Sequence, residues 1–369
     1  MKTSFDVAVI GGGIIGASIA YHLAKENMDV AVFEADRIGR KATGAAAGML
    51  GAHSEADDLE LFYPFARESQ LAYASLEKEV HELCGLDFEV KEGGIYKLAY
   101  SQLEKQALSG ALSLPTVDWV DAAEVHKAIP EVSETIIGAA YIQDDVNLIP
   151  NSVARGFCRS VQVLGGSIYE YTKVEGIERC GTGYEISTTR GKFHTQYVVV
   201  ASGVWSSPFF KQAGFDHQLY PIKGEIISVK SDQLALKATI FHNGSYIVPR
   251  RDGTFVIGAT MVANDWSEQC TIGGIEALIT KAKLMLPGVT DMRLHDFWAG
   301  LRPQTFDTLP FIGKHPDHDG LIFATGHSRN GILLAPVTGM MVRDLLLGRE
   351  VNPKWVEAFK LERSESVYA

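Results

Sequence analysis

Three glycines define the first chemistry this sequence can do. Gly11, Gly13 and Gly16 stand at the spacing G-x-G-x-x-G directly after the apolar run 7–10, Val-Ala-Val-Ile. The first glycine permits a tight turn, the second lets backbone approach a pyrophosphate, and the third lets a helix pack closely on its strand. A helix opening behind them, over 17–27, offers unpaired N–H groups and a positive dipole end to phosphates. A second apolar run, 30–33, ends at Glu34, near the spacing at which an acid bonds ribose hydroxyls. Strand, turn, helix, strand and acid together read as a dinucleotide site.

Three later stretches fit the same site. Residues 39–51 are mostly small, so backbone can pass close to something flat or large. Residues 197–206 read as a buried apolar strand ending in Ala201-Ser202-Gly203, a further approach to the cofactor. Residues 321–331 repeat the arrangement of strand, glycine-bounded loop and helix start, which places a second helix dipole to face an anion. Metal chemistry is not expected: Cys84, Cys158, Cys180 and Cys270 form no C-x-x-C pair and no zinc-finger spacing with histidine.

Positioning these stretches requires a parallel sheet, and 7–10, 30–34 and 197–200 supply strands apolar enough to be buried on both faces. A packing helix is expected over 57–84, where apolar residues recur at helical spacing and Gly85 is a stop. From 88 the βαβ rhythm is lost. A strand pair around Gly93-Gly94, strands at 117–120 and 138–142, and a short helix at 121–129 read as an α+β insertion. Asn151 is the expected N-cap of a helix reaching 164, and strands follow at 167–171, 174–180 and 184–189. Residues 218–229 and a hairpin about Asp252-Gly253 return to antiparallel character. A helix over 273–286, a turn-rich piece at 302–307 and a helix over 332–347 complete the chain. Segments 1–87, 151–217 and 300–369 are assigned to the nucleotide domain, and 88–150 and 218–299 to a second domain.

The length of 369 residues suits two domains, and 46% apolar residues suffice for a buried core. A net charge of −11 argues against a nucleic-acid partner or attraction to anionic lipid. No uninterrupted apolar run would span a bilayer, and the N-terminus leads into the first strand without a cleavage-site pattern, so a cytoplasmic protein without a membrane partner is expected.

These pieces together resemble the D-amino-acid oxidase superfamily. The resemblance rests on residues 9–16 with Glu34, on Ala45 to Leu50, on Trp298-Ala299-Gly300-Leu301-Arg302-Pro303, and on the run from Gly326 to Pro336. Lys223-Gly224-Glu225, Tyr246 to Arg250 and Gly258 to Met261 are similar to members that oxidise glycine in the thiamine pathway. The resemblance implies an α/β fold, with a Rossmann-like FAD-binding domain and an α+β antiparallel-sheet substrate domain. It implies non-covalent FAD. Gly11, Gly13, Ile14, Ile15 and Gly16 would hold the pyrophosphate, and Glu34 the adenosine ribose with Ala35 beside it. Ala42, Thr43, Ala47, Gly48 and Met49 would line the remaining path and Val174 the adenine side. His327, Ser328, Arg329, Asn330, Gly331, Ile332 and Leu333 would reach the flavin pyrimidine end.

For substrate, the resemblance implies that Arg302 clamps the carboxylate of a small amino acid, because a guanidinium offers a planar two-point match. Tyr246 would add a hydroxyl donor, Arg329 would face substrate, and Met49 and Met261 would limit room over the ring. The implied reaction is oxidative deamination of glycine and of small primary or secondary amines such as sarcosine. Hydride passes to flavin and O2 is reduced, giving glyoxylate, ammonia and hydrogen peroxide, with a role in thiazole formation and a homotetrameric assembly. No acid–base residue is assigned; His53, His242 and His327 carry no catalytic role. Three alternatives stay open: a sarcosine or D-amino-acid oxidase or dehydrogenase of the same fold, a nicotinamide dehydrogenase, and a non-catalytic flavin sensor.

Overall fold

The computed structural model describes residues 2–55 and 58–363. Among the described residues, eight strands form a first sheet. Its main order is Phe311–His315, His318–Thr325, Gly191–Val200, Ser4–Ile10, Val30–Phe33, Ser167–Tyr169. Ser4–Ile10 lies at its centre, parallel to Gly191–Val200 on one side and to Val30–Phe33 on the other. Helices Ile14–Lys25, Phe62–Cys84, Pro150–Val163 and Gly331–Leu347 cover one face, and a phenylalanine-rich core including Phe33, Phe193, Phe210 and Phe323 covers the other. Both faces are therefore dry, which is why 7–10 and 197–200 are apolar without alternation.

A second sheet takes nine strands from two stretches of sequence. Its order is Val262–Ala263, Tyr220–Lys230, Thr254–Gly258, Ser245–Pro249, Thr239–His242, Ile95–Ala99, Gly138–Ile142, Val117–Asp121, with Arg293–Gln304 paired along Tyr220–Lys230. All neighbours are antiparallel except Thr239–His242 on Ile95–Ala99. Helices Ile272–Met285 and Ala122–Ala128 pack on it around Ile227, Ile240 and Phe255.

Four local features differ from expectation. The strand pair around Gly93-Gly94 is a single strand, Ile95–Ala99, because both of its edges are already taken by other strands; Lys91 instead bridges to Asn147. The N-cap of the 150–163 helix is Ile149 rather than Asn151, with Pro150 at the first helical position, where its fixed φ and missing N–H cost nothing. The segment around 302–304 is not a turn: Arg293–Gln304 runs as one strand, and Pro303 is accommodated because this strand is paired on one side among the described residues. The long helix begins at Phe62 and ends, as expected, on left-handed Gly85; Asp57 lies outside the described residues.

Gly331–Leu347 is tied to its neighbours by side-chain hydrogen bonds. Pro336 in its interior removes an N–H and leaves the Ile332 carbonyl without its intrahelical partner. The Tyr73 hydroxyl donates to that carbonyl. Val337 N donates to Ser69 Oγ at 3.2 Å, and Ser18 Oγ donates to the Ala335 carbonyl at 2.7 Å. The helix and the short turn before it, 328–347, have the length and apolarity to cross a membrane, but most of the segment is buried in this fold.

Candidate active site

The C-terminal ends of the parallel strands open onto one cavity of about 1120 Å³. Ile10 and Gly11, Phe33 and Glu34, Ala201 and Ser202, and Thr325 and Gly326 all line it, as expected for ligands at a switch point in a parallel sheet. The volume exceeds the roughly 300–1,000 Å³ of most small-ligand sites. The second sheet forms another wall with Gly224, Ile226, Tyr246, Gly300 and Arg302.

The nucleotide end fits a dinucleotide phosphate. Gly11 has φ +110°, and a Cβ there would lie 2.5 Å from the Ala201 carbonyl oxygen, so only glycine lets the turn pass this close to the end of the Gly191–Val200 strand. The 14–25 helix starts at Gly13 with no side-chain cap from that residue. Thr43 Oγ1 instead accepts from Ile14 N at 2.9 Å and ties the small-residue segment to the helix start. The Glu34 carboxylate accepts from Gly12 N at 2.7 Å and Asp36 N at 2.8 Å, which fixes it at the strand end facing the cavity.

Gly13, Ile14, Ile15, Ala35, Ala42, Thr43, Ala47, Gly48, Met49, Val174, His327, Ser328, Arg329, Asn330, Gly331 and Ile332 also line this cavity. Gly16 and Leu333 do not. A Cβ on Gly16 would lie 2.0 Å from the Gly11 carbonyl oxygen, so that glycine packs the helix against the turn. Leu333 faces the helix-covered core. No cysteine is among the lining residues.

At the substrate end, Arg302 and Tyr246 meet on the second sheet. Burial lowers the Arg302 guanidinium from its ordinary value; Tyr246 opposes that shift and nearby Arg329 adds to it. Burial raises the Tyr246 phenol, so it stays a neutral hydroxyl. Arg302 Nη1 also donates to the Thr260 carbonyl at 3.3 Å. Arg329 stands at the rim, half exposed, paired with Glu55 at 2.5 Å. Met49 and Met261 line the cavity, Met261 largely exposed on the segment after the Thr254–Gly258 strand. His327 is buried and its imidazole is pushed down to about 3, so it is neutral, with Nε2 3.1 Å from Thr338 Oγ1. His53 faces Asp145 at 2.8 Å and His242 faces Glu104 at 3.2 Å; neither lines the cavity.

Several contributors escape sequence reasoning. Arg250 is partly buried, and desolvation lowers its guanidinium to about 10. It donates to the Ala47 carbonyl at 2.7 Å and the Leu148 carbonyl at 2.9 Å, gripping the small-residue segment from behind. A Cβ on Gly300 would lie 2.3 Å from the Ala45 Cβ, which explains why that segment is small. Trp266 and Trp205 also reach the cavity. Both glycine and arginine stand in motifs that are visible in the sequence, yet their partners are far away along the chain.

Comparison with known proteins gives one answer. The model of the family described as FAD dependent oxidoreductase (DAO) matches residues 6–345. The glycine oxidase of Bacillus licheniformis is 49% identical over 368 residues, and that of Bacillus subtilis (strain 168) 46% identical over 367, each alignment covering the whole of both chains. The crystal structure of glycine oxidase from Geobacillus kaustophilus superposes with a TM-score of 0.95 at 36% identity, covering 98% of this chain and 100% of that one.

Proposed function

This chain belongs to the FAD-dependent oxidoreductase family, and from that premise we propose that it oxidises glycine and other small amino acids, sarcosine and small D-amino acids included. Glycine would yield an imine that water converts to glyoxylate and ammonia, while O2 becomes hydrogen peroxide. The observation that carries this reading is the partly buried Arg302 guanidinium beside the Tyr246 hydroxyl, in the same cavity as the glycine turn. A carboxylate satisfies that cation with two parallel charge-assisted hydrogen bonds. A sensor would have no use for such a clamp. Membership of the FAD family also removes the nicotinamide alternative.

FAD, when bound, accepts the hydride from the substrate Cα and passes electrons to oxygen. The residues supply position and field. Arg302 and Tyr246 fix the carboxylate, and Met49 and Met261 confine the rest to a small side chain. The N-terminus of the 331–347 helix, with no side-chain cap from Asn330, directs positive dipole at the cavity wall, where it favours developing negative charge. His327 adds no cation there. Hydride leaves only the neutral amine, so turnover should rise with pH as the substrate ammonium loses its proton. We assign the protein a part in thiazole formation for thiamine, as a cytoplasmic homotetramer, in line with the resemblance of its motifs. Sedimentation of the FAD-bound protein tests the assembly.

Anaerobic mixing with glycine, sarcosine and D-alanine tests the activity. Glycine should bleach the visible flavin bands, and air should restore them with peroxide formed. Bleaching by a bulkier amine alone would move the substrate within the family.

A further inference from the structure

Gly224 sits in the middle of the Tyr220–Lys230 strand, where a glycine weakens the strand and offers nothing to pack. Its backbone is not left-handed, so conformation does not require it. What requires it is Arg302. A Cβ at position 224 would lie 2.4 Å from Arg302 Nη1, 2.5 Å from Nη2 and 2.6 Å from Cζ. Three fork atoms at nearly one distance mean that the guanidinium is laid flat over the bare Cα. The register explains how. Gly224 pairs with Gly300 and Ile222 with Arg302 on the neighbouring strand, so the arginine reaches one diagonal step along the sheet to cover Gly224. One strand further on, a Cβ at Gly258 would lie 2.4 Å from the Tyr246 hydroxyl directly opposite it. Both polar groups of the clamp therefore rest on glycines, with no side chain beneath them.

We infer that Gly224 is a positioning residue for substrate recognition: its missing side chain sets the height and tilt of the Arg302 fork over the sheet, and hence where a carboxylate is held. This rests on the proposed function, in which Arg302 is the carboxylate clamp. A methyl group at 224 meets the far end of a flexible side chain, not backbone. The fold can absorb it by lifting the fork, and the carboxylate moves with the fork. A displacement of about 1 Å in a bound reactant can cost about 100-fold in rate.

The test is a double-mutant cycle on the FAD-bound protein with Gly224→Ala and Arg302→Ala. Two quantities are read: the second-order rate of flavin bleaching by glycine without air, and the dissociation constant of acetate from its perturbation of the flavin spectrum. Gly224→Ala alone should keep FAD and its melting temperature, slow bleaching by glycine about 100-fold, and weaken acetate at least tenfold. Added to Arg302→Ala, it should change bleaching less than threefold, because the fork it displaces is gone. Equal losses in both backgrounds, or a Gly224→Ala protein with wild-type acetate binding, would overturn the inference. If Gly224→Ala alone lost FAD, retention of FAD by the double variant would support the clash with Arg302, and loss from both would refute it. Wild-type flavin that glycine does not bleach, while acetate still perturbs its spectrum, would be a failure of the proposed substrate and not of Gly224.

Discussion

A partly buried guanidinium is costly unless something anionic completes it, and in this cavity the hydrogen bonds of Arg302 go to the neutral Tyr246 hydroxyl and Thr260 carbonyl, with the Glu55 carboxylate acting on it through space. The charge is thus held ready for a carboxylate. Arg302→Ala should raise the KM for glycine about 10- to 100-fold, the equivalent of a charge-assisted hydrogen-bond pair at about 1.5–3 kcal/mol. Tyr246→Phe removes one neutral donor and should cost about 0.5–1.5 kcal/mol, or roughly a two- to tenfold rise. Steady-state kinetics on protein with full FAD content checks both; a Tyr246→Phe loss as large as that of Arg302→Ala would make the hydroxyl, not the fork, the principal contact. At this scale the motif around Arg302 is legible in the sequence, and so is the hydroxyl of Tyr246. The glycines that support them are not, because a mid-strand glycine has many possible causes and only the fold shows which atom occupies the missing Cβ.

Elements hold the site through pairings that no local pattern reveals. The glycine turn, the two-sided apolar strands and the Gly85 stop are local, and each is legible without a structure. The partner of the Ile332 carbonyl is Tyr73, on another helix, and its need arises from Pro336. Tyr73→Phe should leave that carbonyl buried and unpaired, at about 1–3 kcal/mol, seen as a lower melting temperature with the far-ultraviolet spectrum unchanged. A similar dependence holds Trp266 and Met261 at the cavity. Along Tyr220–Lys230, Gly224 and Ile226 face the cavity while Lys223 and Glu225 alternate away from it. Lys223 is buried and contacts Glu225 at 3.1 Å, Asp265 at 3.0 Å and Ser267 Oγ at 3.0 Å. Glu225 accepts from Thr271 N at 3.1 Å, at the start of the 272–285 helix, whose dipole favours it. Lys223→Met should cost about 3–5 kcal/mol by stranding a buried carboxylate, and Lys223→Met with Glu225→Leu should cost less than the single change. Thermal melts of the two proteins decide it; a double variant less stable than the single one would mean that the carboxylate is held by the helix alone.

Over the whole molecule, the two sheets meet around one cavity, and the helices Ile14–Lys25 and Gly331–Leu347 both run from the core to its wall. The helix 331–347 packs between Ile14–Lys25 and Phe62–Cys84 and points its N-terminus at the cavity wall. Two buried imidazoles flank it. His22 lies against Gly339, where a Cβ would come within 2.5 Å of the His22 ring, and His327 reaches Thr338. Burial, aided by Arg343 and Lys25, pushes His22 down to about 3, and burial alone does the same to His327. In the unfolded chain both titrate near 6.5. Between about 3 and 6.5 the unfolded state therefore binds more protons than the folded one, and stability rises with pH across that window. Their contribution is complete above about 6.5 and is lost as pH falls, at about 1.4 kcal/mol per unit for each histidine, so near pH 4.5 the pair withholds on the order of 5 kcal/mol. Because the helix they grip also forms part of the cavity wall, acid should release FAD over the same range in which it lowers the melting temperature. Flavin fluorescence and melts of the FAD-bound protein from pH 7 to 4.5 measure both. His22→Leu keeps the site residues and removes one of the two titrations, so its melting temperature should fall about half as steeply with acid. An unchanged slope in that variant would place the acid sensitivity elsewhere, in carboxylates such as Glu26, which Arg349 holds below the usual range.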